Sequence, residues 1–239
     1  MTGRIPATPV DTVNDAPATG SIVARCREFV DRGVPNYVSM NPGGRTNDVF
    51  AQGPAYLGQA YLPFNVEGDP SVPNFVVPNI APVAMARGSV NDRISLLGNL
   101  DRIQRNIDAS RMMESMDRYQ QRAVSMLTSD RAKKAFDLSL ESDAVRNSYG
   151  RHCWGQRALM ARRLVEAGVS FVTVVMENPY QSGVPALKQG VYNWDSHAVN
   201  CHIWDDLQVR LPIYDQAVTA LIEDVYQRGM DKKTMILVS

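Results

Sequence analysis

The run Val169-Ser170-Phe171-Val172-Thr173-Val174-Val175-Met176 constrains the fold more than any other stretch of this chain. Ser170 and Thr173 are its only polar residues, so neither face of a strand built from it suits water. Such a strand is covered on both sides, as in a parallel sheet lying between helices. A helical run, His152–Ala167, precedes it and stops at Gly168. A second helical stripe follows at Leu207, Leu211, Tyr214, Val218, Leu221 and Val225. Pro212 suits a first turn and Gly229 an end, so the spacing predicts the main helix over Pro212–Gln227. Thr234–Val238 then predicts the next buried strand. Strand, loop, helix and strand make a βαβ unit, and ligands of such units bind outside the carboxyl ends of the strands.

The preceding chain divides by composition. Residues 1–18 are rich in Pro, Thr, Asp and Asn and predict loop. Thr19 or Ser21 can cap a helix running to about Arg32, with Ile22, Val23, Cys26, Phe29 and Val30 on one face. Tyr37–Met40 predicts a short strand. Residues 41–82 are studded with Pro and Gly yet carry Tyr56, Tyr61, Phe64 and Phe75, which predicts an ordered, irregular excursion with one short strand at Phe75–Val77. From Val90 the period changes: Ile94, Leu97, Leu100, Ile103 and Ile107 share a helix face, and Met116, Tyr119, Ala123 and Met126 continue it. A Met-rich stripe serves as helix–helix core or as an adaptable binding surface. Ser129 and Ser142 can cap short helices at Asp130–Leu138 and Asp143–Ser148, which completes a helical subdomain over about 90–150. Residues 152–239 form the α/β portion.

Lys+Arg and Asp+Glu balance at 25 each, so no net field draws in nucleic acid or an acidic membrane surface. No run approaches the ~18 apolar residues that span a bilayer. Cys26, Cys153 and Cys201 are widely spaced and indicate no disulfide framework. The chain opens without a charged or apolar preamble and stops inside a run that reads as a core strand, so it is expected to be an internal piece of something longer.

The densest chemistry lies in Asn193-Trp194-Asp195-Ser196-His197, on the connection leaving the carboxyl end of the apolar strand. A carboxylate and an imidazole two residues apart in a loop can turn toward one cation, and the pair of Asp195 and His197 suits zinc or manganese. Two ligands do not close a site. Asn200 can position a substrate oxygen. If His197 begins a helix, Cys201 falls at i+4 and a compact zinc site is a competing reading, with His202 pointing away. Ser196 lacks the surroundings of a catalytic serine. The plain alternative is that Asp195 caps the helix and His197 packs.

Several stretches then tilt the balance. Asp195 and His197, the helix carrying Tyr214-Asp215-Gln216-Ala217, and Lys232-Lys233-Thr234-Met235-Ile236-Leu237-Val238-Ser239 resemble the alkaline phosphatase superfamily. Thr2-Gly3-Arg4-Ile5-Pro6 resembles the Thr-Gly-Arg-x-Pro that follows the nucleophile helix of sulfatases. Leu164–Val174, with Tyr149-Gly150-Arg151, Trp194-Asp195-Ser196-His197 and Gly53-Pro54-Ala55-Tyr56-Leu57-Gly58, is similar to a sulfatase-like family catalogued as domain of unknown function 1501. The resemblance covers essentially the whole chain. It implies an α/β, alkaline-phosphatase-like sandwich with a mostly parallel sheet, present as an incomplete middle portion with a helical insertion. It also implies metal-assisted hydrolysis of an anionic phosphate or sulfate ester, with Asp195 and His197 as ligands of a divalent metal, zinc first, with manganese or calcium as alternatives. The nucleophile is then expected upstream of Met1, and this chain alone is expected to be inactive. Asp-x-His is tighter than the Asp-x-x-x-His of many phosphatases, which leaves metal number and identity open. Arg151 is a weak candidate for contacting the anionic ester, a surface or helix-start role being the alternative. Family relatives point to a periplasmic or secreted setting. A non-catalytic relative that keeps the scaffold as a binding or structural module is the rival reading.

Overall fold

Tyr37-Val38-Ser39-Met40 forms a strand whose four residues are all buried, and it occupies the centre of a three-stranded sheet. In the computed structural model, residues 16–30, 32–40, 53–73, 75–77, 80, 129–180, 184–188, 194 and 202–238 are described. Their elements are α1 (Thr19–Cys26), β1 (Tyr37–Met40), β2 (Phe64–Val66), α2 (Asp130–Phe136), α3 (Asp143–Tyr149), α4 (Cys153–Ala167), β3 (Phe171–Val174) and α5 (Ile203–Gln227). The strand order is β2-β1-β3, and both pairings are parallel, with Val38 opposite Phe64 and Val172, and Met40 opposite Val66 and Val174. Helices around a small parallel sheet make this an α/β chain. No helix among the described residues is long and apolar enough to cross a membrane.

Alternation along β1 assigns its two faces to different layers. The Tyr37 ring meets the Phe171 ring edge-on at 5.5 Å and reaches Thr173 Oγ1 at 3.3 Å. It also lies against Gly20 of α1, where a Cβ would overlap the ring. Val38 and Met40 point the other way, into a cluster with Trp154, Ala158, Leu159 and Leu164 of α4. α4 is in turn flanked by α2, α3 and α5.

The contact with Tyr37 corrects the expected face of α1. Gly20, Ser21 and Ala24 are buried, while Ile22 and Phe29 are exposed, because small residues admit the aromatic ring. The helix also stops at Cys26 rather than near Arg32, and neither Thr19 nor Ser21 caps it: the N-cap is Ala18, without a side-chain bond. β2 replaces the strand expected at Phe75–Val77; Asp69 Oδ1 accepts the Ser71 N–H at 2.8 Å, turning the chain soon after Val66. Val77 is nonetheless buried.

The caps of the helical layer follow expectation. Ser129 Oγ accepts from the Ala132 N–H and Ser142 Oγ from the Val145 N–H, each at 3.3 Å. α2 ends at Phe136 because Asp137 caps a separate turn at Leu138–Leu140. α4 begins after His152 and closes on Gly168, whose φ of +108° lies in the left-handed region that glycine favours. The expected helical stretch over 90–128 lies outside the described residues.

Two expectations at the C-terminal side fail. α5 starts at Ile203, and Pro212 sits inside it. Gln208 and Pro212 are both exposed, so the carbonyl deprived of its i+4 donor faces the solvent side. Thr234–Val238 pairs with none of the described strands, and Met235, Leu237 and Val238 are exposed. Likewise β3 is half-buried at the edge of the described sheet rather than covered on both faces.

Behind the core, charges cross-link α4, α5 and the Leu138–Leu140 turn. Arg162, almost fully buried, meets Glu141 at 2.8 Å, Glu166 at 2.7 Å and Asp224 at 2.8 Å. Arg163 pairs with Glu141 as well, and Arg228 joins Asp224 at 2.7 Å. Burial alone would raise the pKa of Glu141 and Asp224, but bonds from Arg162 and Arg163 to the first, and from Arg228 and Tyr149 to the second, bring both below their ordinary values. A carboxylate with a depressed folded pKa contributes stability above its unfolded value of about 4 and loses it as pH falls through the folded value. The urea midpoint should therefore fall steeply below about pH 4. Glu141→Gln should lower stability at pH 7 by about 1–3 kcal/mol, the cost of an unsatisfied buried donor, and should flatten part of the acid-side fall. An acid-side fall unchanged in the variant would show that Glu141 does not contribute to it.

Candidate functional site

Parallel pairing brings the ends of β1, β2 and β3 to one edge of the sheet, and the connection leaving β3 there leads toward the Asp-Ser-His stretch. Asp195, His197 and Asn200, with Ser196 and Cys201, lie outside the described residues. Their neighbours Trp194 and His202 are described.

Trp194 is fixed at the exit of β3. Its indole N–H donates to the Met176 carbonyl at 2.7 Å. The ring stacks on Trp154 of α4 at 5.8 Å and meets Tyr214 of α5 edge-on at 5.7 Å. The guanidinium of Arg210 lies 4.7 Å from its centroid, a cation–π distance. Arg210 is itself completely buried. Asp206, one helical turn earlier, accepts from its Nε at 2.9 Å, and the Glu177 carbonyl accepts from Nη1 at 2.7 Å. The Tyr180 hydroxyl donates to Asp206 too. The first turns of α5, the chain just past β3 and Trp194 thus meet around one guanidinium.

A second buried arginine works beneath the same edge. Arg157 of α4 donates to the Gly68 carbonyl at 2.7 Å and the Val175 carbonyl at 3.3 Å, tying the exit of β2 to that of β3. Nearby, burial pushes the Cys153 thiol up to about 12, so it is neutral and a poor ligand or nucleophile at pH 7. Burial likewise lowers the pKa of His152; its Nδ1 accepts the Gly155 N–H at 3.1 Å, which leaves the proton on Nε2.

Arg151 sits on the exposed side of α3, donating to Asn147 Oδ1 at 2.6 Å and pairing with Asp143. His202 is the N-cap of α5, exposed, with Nδ1 3.3 Å from Asp205 Oδ2. No group of three or more His, Cys, Asp or Glu that could hold a metal occurs among the described residues. Sequence reasoning missed Trp154, Arg157, Asp206 and Arg210. Only the i,i+4 pairing of Asp206 with Arg210 was a usable signal, and it resembles the ion pairs of any exposed helix.

The family described as a protein of unknown function (DUF1501) matches residues 1–239. No curated protein and no solved structure matches the chain. The geometry itself gives a test. Asp206→Asn strips the buried Arg210 of its counter-charge and should destabilise the protein by about 3–5 kcal/mol, read from urea unfolding. A loss under about 1 kcal/mol would mean that the Glu177 carbonyl and the two indoles suffice to hold the cation.

Proposed function

From the premise that this chain belongs to the DUF1501 family, we propose that it carries part of the site of a metal-dependent hydrolase of phosphate or sulfate esters, built on a sulfatase-like relative of the alkaline phosphatase superfamily. Asp195 and His197 are the metal ligands of this reading and Asn200 a substrate-positioning group. The observation that supports it most is the attachment of Trp194, the residue just before Asp195, to the exit of β3. Ligands of α/β folds gather at that edge of the sheet.

A hard carboxylate oxygen and an imidazole nitrogen together suit zinc, so the donor chemistry fits the group. A bound divalent metal would act as a Lewis acid on the ester and lower the pKa of an attacking oxygen. Arg151 is a less suitable anion contact, since Asp143 and Asn147 already engage its guanidinium. Of the nearby acids, Asp206 is committed to Arg210 and Tyr180, and Asp205 pairs with His202.

If Asp195 and His197 are the donors, zinc affinity should depend on both. Zinc titration of the tag-free chain should show binding that Asp195→Asn and His197→Ala each weaken about tenfold or more. Cys201→Ala should leave the affinity unchanged; loss of zinc in that variant would favour the compact site instead. Hydrolysis of nitrophenyl phosphate and sulfate should stay at background, and Asp195-dependent turnover would overturn the inactivity of the isolated chain. Zinc binding indifferent to both Asp195 and His197 would favour the non-catalytic rival, a binding or structural module on the same scaffold.

A further inference from the structure

α4 begins in a tight corner. α3 ends at Tyr149, Gly150 turns the chain with a φ of +90°, and His152 follows as the N-cap of α4. Gly155 lies so close to the Tyr149 and Gly150 carbonyls that a Cβ would overlap them. Gln156 secures the corner, its amide donating to the Gly150 carbonyl at 2.8 Å and to the Arg146 carbonyl at 3.0 Å. The cap of α4 is an imidazole, where hydroxyls of Ser129 and Ser142 cap α2 and α3. Its Nδ1 accepts the Gly155 N–H at 3.1 Å and so holds no proton. The ring is 7% exposed. Nε2 packs over Gly150, where a Cβ would overlap it, and has no hydrogen-bond partner among the described residues. A proton on Nδ1 would set two N–H donors against each other and place a cation at the positive end of a helix. The bond to Gly155 exists only while the ring is neutral.

We propose that His152 is a pH-sensitive latch on the first turns of α4, closed while its ring is neutral and released on protonation, so that Trp154 and Arg157 loosen their hold on the exits of β2 and β3. Both residues lie within five positions of the cap, and Arg157 is the side chain that joins the Gly68 and Val175 carbonyls. α3 faces the ring with the backbone of Gly150, and α5 with the neutral amide of Gln216. Asp69, after β2, is the charged group that acts on it. On α4 itself, Cys153 is neutral, and Arg157 acts on Asp69 and Cys153. Burial is the largest influence on the ring and lowers its pKa, against the pull of Gln216 and Asp69 toward the charged form. With the folded pKa below the ordinary value of about 6.5, the unfolded chain takes the proton first. The cap's contribution is therefore complete above about pH 6.5 and declines as pH falls below it. That window lies above the one set by Glu141 and Asp224.

The test is hydrogen exchange by mass spectrometry on the full chain at about pH 7.5 and 5, either side of the imidazole range, corrected for intrinsic exchange rates. Peptides covering 153–160 should exchange at least about fivefold faster at the lower pH, the factor set by losing a helix cap, while β1 keeps its protection. His152→Ser, which caps without titrating, should exchange equally at both pH values. His152→Ala should exchange fast at both. A pH effect of wild-type size in His152→Ser overturns the proposal, as does equal protection of 153–160 at both pH values in wild type, or a loss spread evenly over β1. Wild type also supplies a reading that needs no variant, a proton NMR titration of the three histidine rings. One ring should titrate below about 6.5 in step with the exchange of 153–160, and the lack of such a ring overturns the latch.

Discussion

Parallel pairing of β1 with both neighbours governs the rest of the structure. Parallel strands cannot be joined by a tight turn, so each connection crosses back over a face of the sheet and every carboxyl end reaches the same edge. β1 lies centrally and wholly buried, so both faces of the sheet need cover. α1 supplies one cover through a glycine set against the Tyr37 ring, and α4 the other through Trp154, Ala158 and Leu159. The same constraint brings the chain just past β2 and β3 within reach of one side chain, Arg157. Trp194 and Arg210 meet at this edge, where the exits of β2 and β3 converge.

Three nearly inaccessible arginines, Arg157, Arg162 and Arg210, hold this arrangement, and each meets the cost of leaving water differently. Arg162 uses carboxylates from three segments and so binds α4 to α5. Arg157 uses backbone carbonyls and so binds strand exits to each other. Arg210 combines a carboxylate, a carbonyl and two indole faces. Lysine would not reproduce Arg210, since an ammonium has no flat face to set against the indole rings.

Much of this skeleton was legible from local chemistry, and the failures share a cause. Ser129, Ser142 and Gly168 act within one turn of the chain, so the residue type alone identified the helix ends. Tyr37–Met40 was legible because a short run opening on the strand formers Tyr37 and Val38 stands between Pro35-Asn36 and Asn41-Pro42. The misread elements depend on distant partners. Ile22 and Phe29 read as a buried face, yet both are exposed, and the distant Tyr37 ring selects Gly20 instead. Pro212 read as a helix start because nothing local shows that its face of α5 is exposed. Thr234–Val238 read as a core strand because apolarity is a necessary condition for one, whereas the pairing edge is supplied elsewhere. In the candidate site, Asp195 and His197 stand out in the sequence by their donor chemistry and lie outside the described residues, whereas nothing local marks Trp194 and Arg210 as partners across the fold.

The composition of the Arg210 cluster bears on why it is charged at all. A buried ion pair adds little net stability compared with a well-packed apolar replacement, because desolvation consumes most of the Coulombic gain. Its distinguishing property is direction. Asp206 and the Glu177 carbonyl fix the plane of the guanidinium, and a fixed plane gives the Trp194 ring one preferred seat, where a leucine would give several. Trp154 narrows the choice by stacking within 25° of parallel, and the Met176 carbonyl settles which edge of the indole faces the strand. At Arg210, in contrast to the cross-linking Arg162, charge is better understood as fixing the seat of Trp194 than as adding net stability.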